Sequence, residues 1–290
     1  MTVPDYARLF GKEIPMRPVT GKYYPAANIR TVWDPKPYEE ILPPALQEFR
    51  DEIVKERLEK GQRISNGAVA VLSAWRDLDG VILLRFSEGK YFDCVATHYE
   101  LDRPLLHGMG FGPLRGYIRP EELFEPDGYE RYTWLSKLAG ITAVLETKDR
   151  ALVLQERSAE VAVEANSFHV SIAEGLKPAA LAEGGLKRAF AGALRQELGS
   201  SWSQEFEIVG GALGISDQYL QPDIALYAKL PLTADEVRRL AESARGRWER
   251  VRLHFVESSE ESLSRFIEGK HFSPHATFAL ATAEALKVLG

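Results

Sequence analysis

The sequence predicts an α/β protein. Three observations carry that reading. The stretch 140–158, "GITAVLETKDRALVLQERS", alternates apolar and polar residues on either side of a turn and reads as a β-hairpin. Residues 186–198 repeat apolar positions at helical spacing and stop at Gly199. Residues 1–45 are dense in proline ("IPMRPV", "DPKP", "LPP") and read as an extended arm with little helix. Together they divide the chain into an N-terminal part, 1–133, holding the arm, a helix and a small β-rich region, and a C-terminal α/β part, 134–290.

The elements follow in order. "PPALQEFRDEIVKERLEKG" (43–61) reads as a helix with prolines at its start, apolar Leu46, Phe49, Ile53, Val54 and Leu58 on one side, and Gly61 at its end. "GAVAVLSAWRDLDGVILLRFS" reads as strand, turn at 77–80, strand. A Gly- and Pro-rich connection, "HGMGFGPLRGYIRPEELFEPDGY", leads to the hairpin at 140–158, with Lys148 and Asp149 in its turn. The two hairpins echo each other ("VAVLSAWRDLDGVILLRFS", "TAVLETKDRALVLQERS"), a pattern on which unrelated hairpins also converge. "VAVEANSFHVSIAEG" (161–175) is read as a further strand region ending in glycine, followed by a loop, "GLKPAALAEGG", and the helix 186–198. "FEIVGGALGIS" and "DIALYAKLPL" are two strands. "TADEVRRLAESARGRWERV" opens with a capping box of Thr233 and Glu236, "VRLHFVES" is a strand, and the last helix starts at Ser273 with Pro274 in its first position. From 140 onward the order is β-β-β-α-β-β-α-β-α.

The composition excludes several classes. The 290 residues carry a net charge of -6, so no overall field favours nucleic acid or an anionic membrane. The longest apolar runs have strand length, and the first residues lack the pattern of a signal peptide. Cys94 is the single cysteine, so no internal disulfide or cysteine-based zinc site can form. A soluble, cytoplasmic chain is expected, with a homodimer allowed.

One acid stands out. At 100° per residue with Leu186 at 0°, Phe190 falls at about 40°, Ala193 at about 340°, Leu194 at about 80° and Glu197 at about 20°. Glu197 therefore points into the apolar face, while Arg188 and Arg195 lie opposite. An inward carboxylate in the last turn of a helix is costly unless a metal, an arginine or backbone donors pair it; the other reading is a frayed end that reaches water.

The hairpin, a strand ending in a glycine turn, and a helix closing as "ALRQELG" resemble the Nudix family, whose signature is G-x5-E-x7-R-E-U-x-E-E-x-G-U. The resemblance covers about residues 135–290. With Gly199 on the last glycine, Glu197 takes the second acid of E-E, Gln196 the first, Leu194 the aliphatic position, Ala193 the preceding glutamate and Gly192 the arginine. Val170 and Ser171 replace a glycine pair, Glu174 falls near the acid that follows it, and Glu183 lies in an expanded loop. The resemblance implies a Nudix-like α/β/α sandwich. It also implies Mg²⁺ or Mn²⁺ held against a diphosphate by carboxylates sharing one helix face. Here Ala193 and Gln196 leave a single helix carboxylate. The metal candidates are therefore Glu197, Glu174 and Glu183, with Asp217 as a substitute, and the catalytic candidates are Glu197 and Glu174.

His169, Arg157 and Tyr219 are the candidates for contact with a nucleotide-type ligand; structural roles are the alternative for each, as for Arg85. His271 and His275 are expected as capping or surface residues. No HxH, HExxH, GxGxxG or GxxxxGK[ST] pattern occurs. The resemblance implies a divergent protein that binds, and slowly hydrolyses, a nucleoside-diphosphate-type compound. The alternative is a non-catalytic interaction or ligand-sensing module.

Overall fold

The computed structural model describes residues 8–10, 12–35, 43–62, 64, 66–104, 112–126, 128–132, 134–161, 164–199 and 205–289. Five short strands open it: β1 (Arg8–Leu9), β2 (Lys12–Glu13), β3 (Met16–Pro18), β4 (Tyr24–Pro25) and β5 (Ile29–Trp33). Helix α1 (Pro44–Glu59) follows, with Leu46, Phe49, Ile53 and Val54 buried as the periodicity predicts. Leu58, expected on the same side, is 50% exposed. Strands β6 (Ala68–Leu78) and β7 (Val81–Lys90) form the predicted hairpin. Its two-residue turn places Asp79 and Gly80 at φ 51° and 84°, the left-handed pair of a type I′ turn that matches strand twist. β5 lies parallel to β7, completing a three-stranded sheet, and α2 (Tyr91–Thr97) continues directly from β7.

The second part builds the main sheet from β8 (Gly140–Glu146), β9 (Ala151–Arg157), β10 (Phe168–Val170) and β11 (Ile172–Gly175), then helix α3 (Pro178–Leu198), β12 (Glu207–Ser216) and β13 (Pro222–Lys229). Helix α4 (Ala234–Ala241), β14 (Arg250–Glu257), α5 (Glu260–Ile267) and α6 (Pro274–Leu289) complete it. The path is β10-β9-β8-β13-β12-β3, with β14 beside β9, β11 beside β8 and β4 beside β12. β8 and β13 are parallel, and the other pairs antiparallel. The N-terminal arm is thus stitched through β3 and β4 to β12.

Strand alternation assigns the two faces. Ile141, Ala143, Leu145, Val153, Ile224, Leu226 and Ala228 join one core with Leu186, Phe190, Leu194 and Leu198 of α3 and with Phe49, Leu72 and Phe86 of the N-terminal part. Val144, Leu152, Leu154, Ala225 and Tyr227 join another with Phe278, Ala279 and Ala283 of α6 and Leu263 of α5. A mixed sheet between α3 on one side and α6 on the other is the α/β/α layering the resemblance implied. Among the described residues, no helix is long and apolar enough to cross a membrane.

Three local readings change. In the region 161–175, read as one strand region, the described residues 164–167 lie outside any strand and 168–175 form two, β10 and β11. The segment "GLKPAALAEGG", expected as a loop, is helical from Pro178, which fits the first turn because its missing N–H has no partner to lose. Gly184 and Gly185 then break the helix, Gly185 at φ 62°. Helix α5 is additional to the predicted elements, and Ser259 caps it by accepting from the Ser262 N–H at 3.2 Å. Both predicted caps form: Glu236 N–H donates to Thr233 Oγ1 at 3.4 Å, and Ala276 N–H to Ser273 Oγ at 3.1 Å.

Candidate functional site

β8 and β9 pair only through Leu145 with Val153 and Glu146 with Leu152, then diverge. β10 fills the gap against β9, and β11 against β8. In the wedge lies a cavity of about 260 Å³.

Its floor is Asp223, at the start of β13 beside Gly140 of β8. A Cβ on Gly140 would lie 2.3 Å from Asp223 Oδ1, so only glycine leaves room for this carboxyl. Burial pushes Asp223 up to about 7, against a hydrogen bond from Thr142 and with the repulsion of Glu164. Among the described residues, no Lys, Arg or His nitrogen lies within ion-pair distance of Asp223.

A second wall is Glu164 between two histidines. The stretch 164–167 holds Glu164 and Asn166 in the left-handed region, at φ 54° and 59°, a conformation non-glycine residues adopt at a cost of roughly 1–3 kcal/mol each. Glu164 Oε2 is 3.9 Å from His169 Nε2, and Oε1 is 3.9 Å from His275 Nδ1. Burial raises Glu164 to about 7, against the attraction of Arg157 and a Ser273 hydrogen bond. Burial, then Arg157, holds His169 well below the usual imidazole range and His275 at about 4, so both rings are neutral at pH 7.

The third wall is acidic too. Burial raises Glu174 on β11 to about 7, with Lys177 opposing and Glu249 adding to the rise. Lys177 Nζ is 3.6 Å from Glu174 Oε2 and donates to Gln196 Oε1 at 2.7 Å. Glu249 is raised by burial against Arg157, Arg250 and Lys177. Tyr91, Tyr99 and Trp248 supply aromatic surface, and among the described residues Arg157 is the one guanidinium on the lining.

Glu197 is 2% exposed, inward as its place on the helix predicts, but it does not line the cavity. Its partner is Arg250. Nη1 donates to the Glu197 backbone oxygen at 2.8 Å and lies 3.4 Å from Oε2, while Nη2 donates to the Ala241 oxygen at 2.6 Å. One guanidinium thus closes the C-terminal ends of α3 and α4 together. Gly246 packs so closely that a Cβ there would meet Glu197 Oε1 at 2.9 Å. Burial, then Glu174 and Glu249, raises Glu197 to about 8, outweighing Arg250 and Arg157. Arginine keeps its proton in proteins, so the carboxyl is the group that goes neutral.

The candidates from the sequence therefore separate. Glu174, His169 and Arg157 line the cavity, and Glu197 sits within electrostatic reach of Glu174. Tyr219 stands just outside, its ring stacked on His275 at 6.1 Å and edge-on to Tyr99 at 5.4 Å. Burial, then Glu164, pushes its hydroxyl up to about 12. Glu183 is exposed, 3.6 Å from Arg188, and borders none of the described cavities. Asp217 holds Arg17 at 2.7 Å on the surface. His275, expected as a capping or surface residue, is buried in the cavity wall because Ser273 begins α6 there. Glu164, Asp223 and Glu249 are not distinguished by any sequence pattern. Asp223 alone leaves a trace, as the one charge inside the apolar run "PDIALYA".

Among the described residues, no group of three or more His, Cys, Asp or Glu side chains is placed to hold a metal ion. Glu197 is committed to Arg250, Glu183 faces away, and Ala193 and Gln196 offer no further carboxylate. The Mg²⁺ or Mn²⁺ donor set that the resemblance implied does not fit this arrangement. What the cavity offers instead is unused acceptors: among the described residues, Asp223 Oδ2, Glu164 Oε1 and Glu174 Oε1 find no hydrogen-bond partner, and neither does His275 Nε2.

No protein-family model matches the chain, and no curated protein does. Among solved structures, it is similar to a MutT protein from Methanosarcina mazei Go1 (12% identity, 52% of this chain and 94% of that one, TM-score 0.37). It is also similar to the Bacillus subtilis pyrophosphohydrolase BsRppH (14% identity, 53% and 83%, TM-score 0.33). A third is Tm1382, a candidate Nudix hydrolase (11% identity, 77% and 100%, TM-score 0.35). The chain is thus similar to Nudix hydrolase structures, at low identity and with partial overlap.

Proposed function

We propose that the protein is a small-molecule-binding module whose cavity between β8 and β9 takes a metabolite, and that it is not a metal-dependent pyrophosphohydrolase. The observation that carries this reading is the convergence of three buried carboxyl oxygens, on Asp223, Glu164 and Glu174, with no hydrogen-bond partner among the described residues. A buried acceptor left unmade costs about 1–3 kcal/mol. A fold that carries several around one preformed cavity gives up stability that a ligand with donors returns, and strongly shifted acids in a cleft mark functional sites. The helix that bears the metal-binding acids in the family places Glu197 against Arg250 instead.

The test is a pair of assays on the full chain. Phosphate release from nucleoside-diphosphate compounds with Mg²⁺ or Mn²⁺ is expected to stay at background, while a metabolite panel yields compounds that raise the melting temperature. Metal-dependent release that disappears in Glu174→Gln would overturn the proposal. One observation favours the second reading, hydrolysis of a nucleoside-diphosphate-type compound: Arg157 stands on the cavity wall, where a phosphate would meet a guanidinium.

A further inference from the structure

We infer that the ligand is a planar organic cation with paired N–H donors, of the amidine or guanidine class, seated between Asp223 and Glu164. The inference rests on the binding-module reading and names its ligand.

Charge decides first. Asp223, Glu164, Glu174 and Glu249 surround the cavity, against one guanidinium, Arg157, on the lining among the described residues. Lys177 at 3.6 Å serves Glu174 from the exposed side. Glu164 is within the field of Arg157, but among the described residues Asp223 has only the Thr142 hydrogen bond and the repulsion of Glu164. A diphosphate would add negative charge beside these acids. A cation supplies what the protein omits.

Hydrogen bonding decides next. Among the described residues, Asp223 Oδ2 and Glu164 Oε1 both lack a hydrogen-bond donor, and they come from different walls, β13 and the stretch 164–167. Both acids line the same cavity, and each disfavours the charge of the other. Both histidines beside Glu164 are neutral, so neither neutralises it. An amidine or guanidine presents N–H groups in a plane, and these match carboxylates more closely than a single ammonium does. Gly140 leaves the space that the Asp223 carboxyl occupies, because any side chain there would collide with Oδ1.

Shape decides last. The aromatic side chains of Tyr91, Tyr99 and Trp248 border the same space, surfaces that favour a flat cation. At about 260 Å³ the cavity falls just below the range of roughly 300–1,000 Å³ typical for drug-sized ligands, which suits one small ring with its cationic group.

Benzamidine, benzoate and inorganic pyrophosphate serve as probes, read by thermal shift and calorimetric titration on the full chain at pH 8. Benzamidine should bind, and benzoate, with the same ring and the opposite charge, should not. Asp223→Asn and Glu164→Gln keep size and remove charge, and each should weaken benzamidine roughly ten-fold to a hundred-fold. Two separate variants keep the test valid if one fails to fold. Binding of pyrophosphate or benzoate in place of benzamidine, lost in Arg157→Gln, would overturn the cation assignment while leaving the binding-module reading intact. Benzamidine inert, or benzamidine binding unchanged in both acid variants, would overturn it as well. Failure of the underlying reading registers separately, as metal-dependent phosphate release.

Discussion

Glu197→Gln should stabilise the protein at pH 8 and leave it nearly unchanged at pH 5. Burial and the neighbouring Glu174 and Glu249 hold the folded carboxyl at about 8, against 4.5 as the ordinary value. The folded state therefore keeps its proton through the range in which the unfolded chain releases it. Stability from this group is fully present below about pH 4.5 and is lost as pH rises through 8. A tenfold difference in proton affinity between the folded and unfolded carboxyl is worth about 1.4 kcal/mol, so the loss between pH 5 and pH 8 is on the order of 3 kcal/mol. Glutamine stands in for the neutral acid and has no proton to lose. The variant should melt higher than the wild type by roughly 5 °C or more at pH 8, taking about 2–4 °C per kcal/mol for a chain of this size, with the gap closing at pH 5. Thermal melts of both proteins at several pH values read this directly. A variant that melts lower than the wild type at both pH values would refute the reasoning. It would mean that Glu197 is ionised in the fold and that Arg250 holds it as an anion.

Arg250→Met should destabilise by about 3 kcal/mol or more, because two guanidinium bonds, to the Glu197 and Ala241 carbonyls, are lost at about 1.5–3 kcal/mol each; urea unfolding monitored by circular dichroism measures it, and a loss under about 1 kcal/mol would deny that this arginine closes α3 and α4. Gly140→Ala should cost about 1–3 kcal/mol by driving a methyl to within 2.3 Å of Asp223 Oδ1. In an Asp223→Ala background that cost should largely vanish, so a double-mutant cycle on melting free energies should return a coupling above about 1 kcal/mol; strict additivity would place the clash elsewhere.

The sequence alone determined what depends on neighbours along the chain. The two hairpins follow from alternation and turn residues, the starts of α4 and α6 from Thr233, Glu236, Ser273 and Pro274, and the inward aim of Glu197 from helical spacing. Each is set within one turn or one strand, where geometry is nearly fixed. The partner of Glu197 was not legible, because Arg250 arrives from 53 residues away through the register of β14 on β9. The helix start was misplaced for a local reason: Gly184 and Gly185 break α3 rather than precede it, and the Ala-rich segment before them is helical. The cavity belongs wholly to tertiary structure. Glu164 comes from a left-handed loop, Glu174 from β11, Asp223 from β13, Glu249 from the turn before β14 and His275 from α6. No spacing joins them. They meet because β8 and β9 diverge after two paired residues, and burial, which only the fold supplies, turns ordinary acids into groups that titrate near neutrality.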